Sequence, residues 1–171
     1  MRAPITLSLM LACGICHAAT TPNEITTPYD FGAVGNGTAD DSTALQNALS
    51  SGRIVTLPGG SFRITRRMNI PANGGLVGAG TILHDFDTSP APGLPSANDY
   101  AFFTNGANVR LEGFKLKKTF IDGSYACGIV ADHANNITIK DVEISGYSAR
   151  YGIHIIESEN IQVTGCYIHS F

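Results

Sequence analysis

The chain has no tryptophan, and only 15% of its 171 residues carry charge. So little charge excludes a solvated, disordered chain, because 43% hydrophobic residues are enough to bury a core. Basic residues never cluster beyond Arg66-Arg67 and Lys115-x-Lys117-Lys118, and the formal net charge is −3. There is no stripe for a phosphate backbone, and nucleic acid is excluded as the expected partner. Long hydrophobic runs are missing too: the most apolar stretch, Ile5 to Ile15, is shorter than the roughly 20 residues that span a bilayer as a helix. Cysteine is sparse at four, and beyond residue 18 no C-x-x-C or H-x-x-x-H spacing occurs. That excludes the usual zinc arrangements, so the reading contains no metal and no cofactor.

What is present begins with an address. Arg2, the short apolar stretch and the small residues Ala18 and Ala19 before Thr20-Thr21-Pro22 read as a secretory leader. Cleavage after Ala18 puts Cys16 and Ala18 at the small-residue positions, so residues 1–18 are taken as leader and 19–27 as a linker. The mature protein is then secreted, extracellular or periplasmic. Met10-Leu11-Ala12-Cys13 offers a lipoprotein alternative, with a large Leu11 where a small residue is usual. A leader also argues against a phage structural protein. Cys127 and Cys166 remain after cleavage, and an even pair in an oxidising compartment permits a disulfide without requiring one.

One helix is signalled, over residues 41–50. Thr38-Ala39-Asp40-Asp41 offers a hydroxyl cap and two carboxylates for the first turn, and Gly52 a stop. Ala44, Leu45, Ala48 and Leu49 form a stripe on one side that needs a burial partner. Beyond Gly52 the chain reads as short strands: Arg53 to Leu57, Ser61 to Thr65 and Leu76 to Ile82. Residues 88–98, with three prolines, read as a loop.

From residue 108 the sequence repeats. Asn108-Val109-Arg110-Leu111 aligns with Asn136-Ile137-Thr138-Ile139 and with Asn160-Ile161-Gln162-Val163, and Gly128-Ile129-Val130-Ala131 aligns with Gly152-Ile153-His154-Ile155. A period in the twenties marks a solenoid. Within each unit the apolar residues alternate, as at Ile137 and Ile139, and change phase at a bend before Val142 and Ile144. Such strands stack each coil on its equivalent about 4.8 Å away, which is a parallel β-helix. Asn108, Asn136 and Asn160 are expected to stack at one bend, and Cys166 to fill the buried place of Phe114 and Val142. Coils are assigned to 108–171.

The stretch Tyr29-Asp30-Phe31-Gly32-Ala33-Val34-Gly35-Asn36-Gly37-Thr38-Ala39-Asp40-Asp41 resembles the opening of the pectate-lyase-like superfamily, which includes rhamnogalacturonases, polygalacturonase-like hydrolases, alginate epimerases and phage tailspikes. The resemblance implies an all-β fold: a right-handed parallel β-helix over 28–171, its amino-terminal end plugged by the helix, acting on or binding an acidic polysaccharide. Asp40 and Asp41 are adjacent carboxylates, yet their place at a helix start favours capping over catalysis.

The family's catalytic signatures find little support. Polygalacturonase-like hydrolases carry acids just before the Gly-Ile strand, where this chain has Ala149-Arg150-Tyr151 and Tyr125-Ala126-Cys127. Of the epimerase D-P-H-E motif only Glu157 has a counterpart, and Asp132, Glu157 and Glu159 with Arg150 are too scattered for a lyase calcium site. Strand alternation turns Ile129, Ala131, Ile153 and Ile155 inward and Val130, Asp132, His154 and Ile156 outward. Asp132 and His154 are therefore the candidate acid–base pair, one coil apart, weighed against ordinary exposed polar residues. His84, His133 and His169 receive no role. The third Asn unit ends at Ile168, so the chain reads as the amino-terminal part of a longer β-helix, its missing acids on later coils and its uncapped last coil a route to oligomers. Two functions follow from the resemblance: a secreted carbohydrate-directed relative of hydrolases and lyases, or a non-catalytic polysaccharide-binding or surface adhesin module.

Overall fold

A computed structural model describes residues 25–86, 100–119, 127–147 and 151–169. The leader, the 88–98 loop, and Tyr125, Ala126, Ala149 and Arg150 lie outside the described residues.

The chain winds through three parallel sheets. The coil with the clearest repeat pattern has β10 (Cys127–Asp132), β11 (Asn135–Lys140) and β12 (Glu143–Ser145). The next has β13 (Ile153–Ile156), β14 (Glu159–Thr164) and β15 (Tyr167–His169), and the preceding one β7 (Tyr100–Thr104), β8 (Ala107–Glu112) and β9 (Lys115–Lys118). Before them come β1 (Asn36–Asp40), β2 (Ile54–Leu57), β3 (Ser61–Ile64), β4 (Met68–Asn69), β5 (Gly75–Gly78) and β6 (Thr81–His84). The four-stranded sheet runs β4-β7-β10-β13, the five-stranded sheet β2-β5-β8-β11-β14, and the six-stranded sheet β1-β3-β6-β9-β12-β15.

Register explains why alternation in sequence becomes a core. Val55, Leu76, Leu111, Ile139 and Val163 are successive partners in one sheet, Phe62, Ile82, Leu116, Ile144 and Ile168 in the second, and Met68, Phe102, Ile129 and Ile153 in the third. Except for Val163 and Ile168 on the last coil, the members of these three ladders form or pack against one core cluster. Each fully buried member contributes about 1.5–3 kcal/mol by leaving water. On the last coil the same rungs are open, with Val163 42% and Ile168 50% exposed.

The structure corrects the coil boundary. Stacking already begins where β1 pairs with β3 and β2 with β5, well before residue 108, because the early coils pair in register without repeating in sequence: Gly75 pairs with both Ile54 and Arg110. The predicted strand Leu76–Ile82 is two strands bent at Ala79-Gly80. Gly78 sits at φ +131 before that bend, and a Cβ there would lie 2.2 Å from the Leu57 carbonyl oxygen, so only glycine allows the coils to approach.

The helix is α1 (Ser42–Leu49), one residue shorter at each end than expected. Its stripe is buried, with Leu45, Ala48 and Leu49 fully inside the core. Its predicted start needs correcting. Thr38 lies within β1, and the first turn contains no acidic residue. Asp41, at the N-cap position, turns its carboxylate back to accept from Val34 N at 2.7 Å and Gly35 N at 3.2 Å. Asp40 accepts from Ser42 N at 3.0 Å and Thr65 Oγ1 at 2.7 Å, while Asn36 Oδ1 accepts from Thr38 N, Thr38 Oγ1 and Ala39 N. The carboxylates tie a loop onto the first coils, where local side-chain acceptors satisfy backbone donors that neither helix nor sheet can reach. Partial burial works to raise the Asp40 pKa, but hydrogen bonds from Ser42 and Thr65 and the charge of Arg63 outweigh it and hold the carboxyl below its ordinary value.

Candidate functional site

Connections divide the coil unequally. From β7 onward those leaving the four-stranded sheet are short, as at 105–106, 133–134 and 157–158, whereas those entering it span 85–99, 119–126 and 146–152; at β4 the entry, 65–67, is shorter than the exit, 70–74. Long connections on a rigid solenoid are where binding residues concentrate, and this draws attention to the outer face of the four-stranded sheet.

That face is aromatic at both ends. Tyr100 and Phe103 stack with centroids 5.1 Å apart, and the Arg67 guanidinium lies 5.4 Å from the Tyr100 ring centroid. Val130, turned outward as alternation requires, is nevertheless buried in a small cluster with Tyr100 and Cys127, packed by Phe103 and Ile156. At the far end Tyr151, half exposed, lies tilted against His154 with ring centroids 4.7 Å apart. Two clefts of about 360 Å³ each flank β4: one lined by Thr65, Arg66, Arg67 and Phe86, the other by Gln46, Ser50, Asn69, Phe103 and Asn105 among others. Neither Arg66 nor Arg67 has a carboxylate partner among the described residues.

Asp132 and His154 sit on this face but do not oppose each other. His154 pairs with Val130, and Asp132 pairs with Ile156, so the two candidates are offset by one strand and two residues, roughly 8 Å between backbones. Asp132 is engaged elsewhere: its Oδ1 is 2.6 Å from His133 Nδ1, and His133 Nε2 is 2.8 Å from Glu157 Oε2 on the next coil. Bonding to Asp132 and then the charges of Asp132 and Glu157 raise the His133 pKa above its ordinary value. No group of three or more His, Cys, Asp or Glu residues among those described is arranged to hold a metal ion.

Sequence reasoning missed a buried polar pair beside the face. His84 Nδ1 and Tyr147 Oη lie 2.8 Å apart, both rings buried, and Phe86 packs on His84 with centroids 4.0 Å apart. Burial pushes the Tyr147 hydroxyl well above its ordinary pKa, and the charge of Cys127 adds to it. Only the position of His84 at the end of a strand in the inward register marked it, and that signal equally suits a hydrophobe. No disulfide joins Cys127 to Cys166. Cys166 packs partly against the core, in the row of Phe114 and Val142.

Family models match in two consecutive blocks. Residues 29–101 fit the rhamnogalacturonase A/epimerase, pectate lyase-like model, and residues 100–171 the right-handed beta helix region. The chain belongs to the pectate-lyase-like superfamily of right-handed parallel β-helices. The pre-neck appendage protein of Bacillus phage B103 is 31% identical over 140 residues, 82% of this chain but 13% of that protein. Among solved structures, the A-module of the Azotobacter vinelandii mannuronan C-5 epimerase AlgE6 is 20% identical with a TM-score of 0.68, matching 82% of this chain and 43% of that one. PfbA, a surface adhesin of Streptococcus pneumoniae, is 19% identical with a TM-score of 0.68, matching 85% and 38%. At those identities the two structures share the fold, and the chain spans only a small part of the phage relative. No helix among the described residues is long and apolar enough to cross a membrane.

Proposed function

We propose that this β-helix is a polysaccharide-binding surface module whose glycan lies along the outer face of the four-stranded sheet. The observation that carries it is the aromatic lining of that face, Tyr100 and Phe103 at one end and Tyr151 on His154 at the other. Flat rings match the C–H faces of sugars at low entropic cost. Relatives agree in kind: one is a surface adhesin, one a phage appendage protein and one an epimerase of mannuronan. Arg66 and Arg67, without carboxylate partners, favour a glycan that bears acidic groups. Residues 1–18 support export of the mature chain, and the open rungs Val163 and Ile168 support self-association at the last described coil.

Binding is favoured over catalysis because Asp132 is held by His133 and is out of register with His154, so these two are not poised as acid and base on one bond. The test incubates the purified chain with pectin, rhamnogalacturonan and alginate and follows both retention on the immobilised glycan and release of reducing ends or unsaturated uronates. Retention without product, weakened by Tyr151→Ala and by Arg67→Gln, is the expected result. Product that disappears in Asp132→Asn or His154→Gln establishes the enzyme reading instead, and no retention on any glycan removes both.

A further inference from the structure

The helix that plugs the core also forms a wall at one end of the sugar-facing strip. Gln46 reaches from α1 to the backbone of Asn69 in β4, the edge strand of the four-stranded sheet. Beside that contact lies the cleft of about 360 Å³, with Phe103 of β7 and Pro71 among its lining and Gln46 and Ser50 contributed by the helix and its end. Its size falls in the roughly 300–1,000 Å³ range of small-molecule sites.

Its chemistry differs from that of the neighbouring arginine cleft. Among the described residues, none that lines it is charged. Asn69 and Asn105 are exposed, and among the described residues neither side-chain amide has a hydrogen-bond partner. Two unengaged amides, each able to donate and accept, line it together with one aromatic ring, a proline and the Ser50 hydroxyl, which accepts from Gln46 Nε2 at 3.2 Å. Such a set pairs with hydroxyls of mixed donor and acceptor character and stacks on an apolar sugar face. A carboxylate placed there would lose hydration with no cation to replace it.

We propose that the cleft between α1 and the first two strands of the four-stranded sheet is a subsite for an uncharged sugar at the end of a glycan chain. The proposal rests on the glycan reading above and deepens it. The cleft lies where the strip ends at its edge strand β4 beside α1, which suits the terminal residue of a chain laid along the strip. Arg66 and Arg67 then contact acidic groups further along the chain, which makes the ligand a glycan of mixed charge.

The experiment titrates the isotope-labelled full chain with neutral galacto- and manno-oligosaccharides and with the corresponding uronate oligomers. Neutral oligomers are expected to shift the amide resonances of Ser50, Asn69 and Asn105, and Asn69→Ala with Asn105→Ala to weaken their binding about tenfold. Tyr151→Ala should leave that cleft response in place. Phe103→Ala serves as a second variant, and the exposed asparagine pair keeps the test valid where loss of Phe103 perturbs folding. Oligomers that bind but shift only Tyr151 and His154 overturn the subsite while the strip reading stands. Uronates that fill the cleft as tightly as neutral sugars overturn its chemistry, response in the cleft alone overturns the strip, and no binding overturns both.

Discussion

The side-chain amide of Gln46 pairs with the backbone of Asn69 as a neighbouring strand would: Nε2 donates to the Asn69 carbonyl at 2.9 Å, and the Asn69 N–H donates to Oε1 at 2.8 Å. An edge strand presents unpaired backbone groups that invite other chains, and here one glutamine satisfies both groups of the last residue of β4. Gln46→Ala should therefore cost about 0.5–1.5 kcal/mol, since the bonds are exposed and water takes over in part. Thermal melting is the check, with light scattering to detect new association through β4. A melting point unchanged within error would mean that water serves Asn69 equally well.

The bends at one corner of the coil carry left-handed asparagines. Asn73, Asn108, Asn136 and Asn160 have φ of 61, 59, 59 and 54°. Asn136 Nδ2 donates to Asn108 Oδ1 at 2.6 Å, and Asn108 Nδ2 donates to Asn73 Oδ1 at 2.9 Å, so the stack extends one coil before the repeat that revealed it. Asn160 departs from it by donating to Asn135 at 3.0 Å. Two contributions can be separated by substitution. Asn136→Ala loses the ladder bond and forces a Cβ-bearing residue without local side-chain bonding into the left-handed region, about 1–2 kcal/mol for the latter. Asn136→Gly loses only the ladder bond, so it should melt between the wild type and the alanine variant. A glycine variant as unstable as alanine would assign the whole effect to the side chain.

These elements also mark how far the sequence could be read. Ile137 and Ile139 alternate, recur one coil later as Ile161 and Val163, and pair there in register, so the solenoid was legible wherever the repeat was. It was not legible in the early coils, where Gly75 stands opposite Arg110 and the four-stranded sheet contributes only Met68 and Asn69. Pairing there is set by backbone proximity, which leaves no side-chain rhythm to detect. The Asp40-Asp41 motif reads in sequence as a helix cap, but its partners Val34, Gly35 and Thr65 come from the loop before and the coil after. Strand alternation also placed Asp132 and His154 on one face, yet the two-residue offset between them depends on pairing register, which one strand's sequence does not contain.

His133 gives a prediction in pH. Both of its ring nitrogens face carboxylate oxygens, Nδ1 toward Asp132 and Nε2 toward Glu157. A neutral imidazole has one N–H to donate, so both contacts are satisfied together only by the protonated ring. Its folded pKa is raised above the ordinary 6.5, through Asp132 first and Glu157 second. A raised value stabilises the fold in full below the unfolded pKa, and the contribution is lost as pH rises through the folded value. The difference in melting temperature between wild type and His133→Gln should thus be largest below pH 6.5 and shrink at alkaline pH. The cluster is exposed, so added salt should reduce it. A difference that grows with pH would reverse the assigned protonation.

One ladder offers the sharpest test of the packing. Ile144 and Ile168 are register partners with the same side chain, but Ile144 is fully buried and Ile168 is 50% exposed. Ile144→Ala removes atoms from a closed interior and leaves a cavity between Leu116 and Ile168, which should cost about 2–5 kcal/mol. Ile168→Ala removes a half-solvated side chain with no rung on its outer side among the described residues, so it should cost less than half as much. Denaturant unfolding of the two variants measures the ratio. Equal losses would mean that in solution Ile168 is covered, and a concentration-dependent midpoint for the wild type would identify the cover as another copy of the chain.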